Sequence, residues 1–230
     1  MTLLTLLISS QPADNLNTNA AWEIVKEENG ITVSQRAVPG RSMPVFRGEG
    51  EIEAGIFELL AVLQDVNVNP EWMHACREAA LLEKYNEKEH LVYNRSAAPW
   101  PISDRDVVVK TKAIINRAES WVRVVIKSTQ STLKPPVDGV VRMPRMNGEF
   151  YFAIKTDTLT QVRYTIDADP GGWLPVWLAR MASRNIPLRT LENFRKRVKQ
   201  TNESGIYRKH IKRLKDLNWF KLNFETVRLY

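Results

Sequence analysis

From Trp22 onward, apolar and polar residues alternate with a period of two. The runs Trp22-Glu23-Ile24-Val25-Lys26 and Ile31-Thr32-Val33-Ser34-Gln35 flank Glu28-Asn29-Gly30. An Asn-Gly step between alternating runs predicts a β-hairpin, because both positions tolerate positive φ. Val45–Ile52 reads as a third strand. The period then lengthens: Ile56, Leu59, Leu60 and Leu63 carry helical spacing. Asn69-Pro70-Glu71-Trp72 predicts a capped short helix through Cys76, with proline in its first turn. Alternation returns over 79–85, 90–97, 106–115 and 119–128, with polar connections such as Asn86-Glu87-Lys88 that suit an antiparallel meander. A loop with two prolines spans 131–139. Segments 140–143, 148–155 and 161–168 complete the strands.

After Asp169-Pro170-Gly171-Gly172 the pattern becomes helical. Trp177, Met181, Leu188, Leu191 and Val198 recur at helical intervals between Trp173 and about Gln200, and Pro187 should bend or divide that segment. Strands, two small helices, a long antiparallel run and one long helix make an α+β protein. The sheet needs one face covered, and the last helix is the element large enough to cover it. Alternation selects the inward sets Val122, Val124, Ile126; Phe150, Phe152, Ile154; and Val162, Tyr164, Ile166. Residues 1–20 read as a lead-in, 21–202 as one domain and 203–230 as a basic amphipathic extension. In that extension Tyr207, Ile211, Leu214, Trp219 and Phe220 alternate with Lys and Arg.

The chain has 230 residues, 43% of them apolar, and seven tryptophans, enough for a sizeable core. A net charge of +7 is unevenly spread. Residues 175–230 hold 14 Lys/Arg against 4 Asp/Glu, a balance of +10, which leaves −3 on residues 1–174. A basic end attracts an anionic partner, either a membrane surface or nucleic acid, and the acidic remainder gives nucleic acid little support. The plainer reading is a solvated helix face or a helix packed back on the domain. One cysteine, Cys76, precludes an internal disulfide, and no apolar run reaches the roughly 20 residues of a membrane span. The apolar start, 1–10, has no preceding Lys or Arg, so both cytoplasmic and exported locations stand. His74, His90 and His210 are far apart. No metal-ligand spacing, phosphate loop or nucleophile elbow appears, so neither metal nor catalytic residue is expected.

Two segments carry a family resemblance: Ala98-Pro99-Trp100-Pro101-Ile102-Ser103-Asp104-Arg105-Asp106, and Asp169-Pro170-Gly171-Gly172-Trp173-Leu174-Pro175-Val176-Trp177-Leu178. They resemble signatures of the START (StAR-related lipid transfer) family, especially its phosphatidylcholine-transfer branch. Trp22…Asn29-Gly30-Ile31 followed by Val38-Pro39-Gly40 is similar to that domain's opening. The resemblance covers about residues 20–200. It implies a helix-grip fold, a curved antiparallel sheet around a long C-terminal helix with an apolar tunnel between them. It also implies one lipid, sterol or other apolar molecule as cargo, no cofactor, a monomer and no catalysis.

On that analogy Val122, Val124, Phe152, Tyr164, Trp177, Met181, Leu188 and Leu191 would line the tunnel. Tyr93 and Tyr164 would offer phenols that need a partner, either a headgroup or buried water. Trp100, stiffened by Pro99 and Pro101, is either a lid at the mouth or a ring packed under its loop. Arg105 is either half of a fixed ion pair or a headgroup contact. The sequence departs from sterol-type members, whose buried charged pair falls near the neutral Val92 and Thr111. The rival readings are an aromatase/cyclase-like enzyme on the same architecture and a binder acting through its basic tail.

Overall fold

A computed structural model describes residues 21–217 of the chain. Ten strands form one curved sheet: β1 (Glu23–Glu28), β2 (Ile31–Arg36), β3 (Val45–Ile52), β4 (Cys76–Lys84), β5 (Glu89–Ser96), β6 (Arg105–Asn116), β7 (Trp121–Ser128), β8 (Val141–Arg142), β9 (Arg145–Ile154) and β10 (Thr160–Asp169). The helices are α1 (Ile56–Gln64), α2 (Asn69–Trp72), α3 (Val176–Ser204) and α4 (Arg208–Asp216). Strand order is β1-β2-β3-β10-β9-β7-β6-β5-β4, with antiparallel neighbours throughout; β8 pairs in parallel with the start of β6. This is the helix-grip arrangement, with α3 against the inner face.

The short helix ends earlier than its sequence suggests. α2 stops at Trp72, and Cys76 opens β4 instead of closing the helix. Cys76 lies opposite Ser96, and the Ala97 N–H bonds to the Ala75 carbonyl at 2.8 Å. Sheet hydrogen bonds outcompete a second turn for so short a helix, whose first turn already carries the nucleation cost.

α3 runs unbroken through Pro187, and its two halves have different surroundings. In the C-terminal half, Leu188, Leu191, Phe194 and Val198 are buried in the main core. That half is also fastened by polar contacts. Arg195 donates to the carbonyls of Asn29 and Glu51, each at 2.9 Å, and Arg197 pairs with Glu71 at 2.7 Å. Gly48 lets the helix approach the sheet: a Cβ there would stand 2.9 Å from Pro187 Cβ and 3.1 Å from Leu191 Cδ1. The N-terminal half is held by fewer bonds, chiefly Arg180 donating to the Ser42 carbonyl at 2.6 and 2.9 Å.

Residues 205–217 of the basic extension pack back on α1. Leu214 is fully buried, Tyr207 Oη donates to Asp65 at 2.7 Å, and Arg213 meets Glu87 at 3.0 Å. The rest of the extension, with Trp219 and Phe220, lies outside the described residues, as does the 1–20 lead-in.

Candidate functional site

A cavity of about 440 Å³ lies between the sheet and the first half of α3, within the ~300–1,000 Å³ range of small-molecule sites. Its position follows from cross-strand rows. Val124, Phe150 and Tyr164 stand in register across β7, β9 and β10, and all three border the cavity. The adjacent row on the same face, Val122, Phe152 and Val162, is fully buried in packed core. An aromatic cluster closes that end. Phe150 stacks on Tyr164 with centroids 4.3 Å apart, and Trp72 and Phe194 meet Phe150 at 6.2 and 6.0 Å.

The opposite wall is β5 against β6. In register stand His90 with Thr111, Val92 with Val109, Asn94 with Val107, and Ser96 with Arg105; all eight line the cavity. The remaining side is made by Pro99 and Ile102 of the proline loop and by Pro170, Leu174, Leu178, Ala182 and Ile186. Gly171 and Gly172, at φ 61° and 62°, turn the chain from β10 toward α3, a left-handed pair that side-chain-bearing residues rarely adopt.

Three of the residues expected at the site line the cavity: Arg105, Val124 and Tyr164. The others stand elsewhere, each for a physical reason. Val122 and Phe152 face the right side but lie one row beyond the void. Leu188 and Leu191 are buried on the sheet, past the cavity's end. Trp177 and Met181 are 68% and 54% exposed, because the first half of α3 turns Leu178, Ala182 and Ile186 toward the cavity instead. Trp100 is 93% exposed, so it is not packed beneath its own loop. Tyr93 lies on the outer face of β5 with Leu91 and Val108, under the Lys134 ammonium 4.1 Å from its ring. Burial and the nearby Asp106 carboxylate push its phenol up to about 12.

The charges around the proline loop are sorted into pairs. Asp104 accepts from Arg95 Nε at 2.8 Å and from the Ala98 N–H at 3.2 Å, and pairs with Arg77 at 3.0 Å. Burial opposes its ionisation, but these partners outweigh burial and hold the carboxyl below its usual range. Asp106 takes a two-pronged contact from Arg142 at 2.7 and 3.1 Å. Arg105 has no carboxylate within ion-pairing distance among the described residues, which overturns the fixed-pair expectation. Its Nη1 donates to the Ser103 carbonyl, and its Nε is buried without a partner.

Other lining groups were not singled out from sequence. Asn69, read there as a helix cap, has a buried Oδ1 with no partner on the cavity wall. His74 and His90 also line it, and burial lowers both imidazoles. Burial pushes the Cys76 thiol up to about 11, which disfavours the nucleophilic thiolate. Among the described residues no cluster of three metal-binding side chains occurs, and no helix is long and apolar enough to cross a membrane.

The sequence matches the START domain family over residues 12–204. The chain belongs to that family. This START chain is 31% identical over 174 residues to an uncharacterised protein of Pseudomonas aeruginosa, covering 76% of this chain and 85% of that one. Phosphatidylcholine transfer protein of Bos taurus is 29% identical over 174 residues, 73% of this chain and 79% of that protein. Among solved structures, a STAR-related lipid transfer protein fragment from Xanthomonas axonopodis superposes with a TM-score of 0.71 at 30% identity, covering 77% of this chain and 98% of that one. Human StAR-related lipid transfer protein 5, at 21% identity, shares the START fold with a TM-score of 0.72 over 81% of this chain and 90% of its own.

Proposed function

We propose that the chain is a lipid carrier that holds one amphipathic lipid between its sheet and the first half of α3, without chemically changing it. The cavity carries this reading: a wall mostly of Val, Ile, Leu, Met and Ala, large enough for an apolar chain and bounded by a helix half with few fastenings. Relatives named for lipid transfer support the same use.

The surface beside the proline loop and the start of α3 supports exchange with membranes. Trp100, Trp173 and Trp177 are 93%, 84% and 68% exposed, on the same two segments that line the cavity. Large aromatic rings left in water are unfavourable singly and informative together. Tryptophan prefers the membrane–water interface, where its apolar body and polar N–H are both accommodated. Docking by these rings would bring the cavity to the lipid.

Transfer of fluorescent lipid between vesicles tests the reading, with native mass spectrometry of the purified protein to detect one bound lipid. Val124→Trp should fill the cavity from its wall, leave the fold intact and abolish both signals. A folded Val124→Trp protein that transfers at the normal rate, or recovery of a chemically altered lipid, would overturn the proposal.

A further inference from the structure

We infer that Arg105 anchors an anionic oxygen group, carboxylate or phosphate, on the lipid this cavity holds. The inference rests on the carrier reading and specifies its cargo. Arg105 is only 7% exposed, lines the cavity, and carries a buried Nε with no hydrogen-bond partner. A guanidinium taken out of water without an anion is costly, and structures retain one where a partner arrives.

No carboxylate of the described residues lies within ion-pairing distance of Arg105, and the charge of Asp104 acts on it only from farther away. Asp104 is committed to Arg95, Arg77 and the Ala98 N–H, and Asp106 to Arg142 on the other face of β6. Glu87, the one acidic residue on the cavity wall, is held by Lys84 and Arg213. Ser96, opposite Arg105 in register, and Asn94 on the same face add hydroxyl and amide donors. Together they make one polar corner on a wall otherwise led by Val92, Val107 and Val109. A guanidinium presents donors in a fork that matches two anionic oxygens.

The same wall argues against a quaternary ammonium headgroup. Such a cation is held by a cage of aromatic faces. The wall's phenyl and phenol rings, Phe150 and Tyr164, lie stacked on each other.

The test compares chain-matched probes on delipidated full-length protein: oleate against methyl oleate, and dioleoyl phosphatidate against dioleoylglycerol. Inorganic phosphate serves as the free-anion arm. Wild type should bind at least one anionic lipid about tenfold or more tighter than its neutral partner, and phosphate alone far more weakly. Arg105→Gln should erase the preference by lowering anionic-lipid affinity about tenfold or more, and should keep or raise the melting temperature of the empty protein. Arg105→Lys should restore part of the preference.

Equal affinity for anionic and neutral lipids in wild type overturns the inference while leaving the carrier reading standing. A folded Arg105→Gln protein that keeps the preference does the same. Phosphate binding as tightly as lipid reassigns the corner to a free anion and overturns the lipid assignment. Failure of every lipid to bind overturns both readings. The wild-type comparison decides the matter even if the variants do not fold.

Discussion

Val122 and Val124 stand two residues apart on one face of β7, and the boundary between packed core and open cavity runs between them. The same substitution at the two positions should therefore have opposite consequences. Val122→Trp forces a large ring into filled space and should cost at least ~1–3 kcal/mol. Val124→Trp places the ring in the void and should leave stability within about 1 kcal/mol of wild type, or raise it. Urea denaturation of the pair, with midpoints and slopes compared, checks this.

Gly48→Ala should loosen the seating of α3. The added methyl meets Pro187 Cβ at 2.9 Å, and neither the proline ring nor the strand backbone can swing aside as a flexible side chain would. A loss of ~1–3 kcal/mol is expected, with hydrogen exchange rising first in residues 186–195. Unchanged stability and exchange would show that the helix adjusts freely.

The exposed tryptophans should separate docking from folding. Replacing Trp100, Trp173 and Trp177 together by Ser removes groups that make little contact with the core, so the melting temperature should barely move. Co-sedimentation with vesicles, and lipid transfer with it, should fall about tenfold or more. Equal vesicle binding by the triple variant would move the docking surface elsewhere.

Stability should decline on mild acidification. Burial lowers the imidazoles of His74, His90 and His210 from the ordinary value of 6.5, helped by nearby Arg189, Lys84 and Arg213 respectively. A base with a lowered folded pKa stabilises the fold fully above its unfolded pKa. That stability is lost as pH falls through 6.5 toward the folded value, because the unfolded chain takes up protons that the native state refuses. Thermal melts between about pH 8 and 5 should drop below 6.5, and replacing the three histidines by Gln should flatten the curve.

Much of the sheet was legible because its inner face obeys a period of two. The strand Val45–Ile52 emerged with its full bounds, and Val124 and Tyr164 were assigned to the right face. Alternation reports which side a residue faces, but not how far along the strand the packing ends, so Val122 and Phe152 were indistinguishable from true lining residues. Tyr93 misled for a related reason. β5 is apolar on both faces at Leu91-Val92-Tyr93, since the outer face is itself covered.

Trp177 and Met181 show the limit of periodicity on a helix. They share the spacing of Leu188, yet they lie exposed while Leu178 and Ala182 face the cavity. An apolar residue records avoidance of water, and a membrane satisfies that as well as a core does. Arg105 was visible as a charged residue entering a strand, but its lack of a carboxylate depended on where Asp104 and Asp106 point, which only the fold decides.

The unequal fastening of α3 divides tolerance to change along a single element. Beyond Pro187 the inward residues are buried core, and Glu192, Arg195 and Arg197 tie the helix to the hairpin, to β3 and to α2, so drift there threatens survival of the fold. Ahead of Pro187 the inward residues, Leu178, Ala182 and Ile186 among them, border empty space, where an exchange of shape should alter the void more than it weakens the fold. Substitutions from Leu178 through Ile186 should therefore reshape the void while the other half keeps the architecture constant.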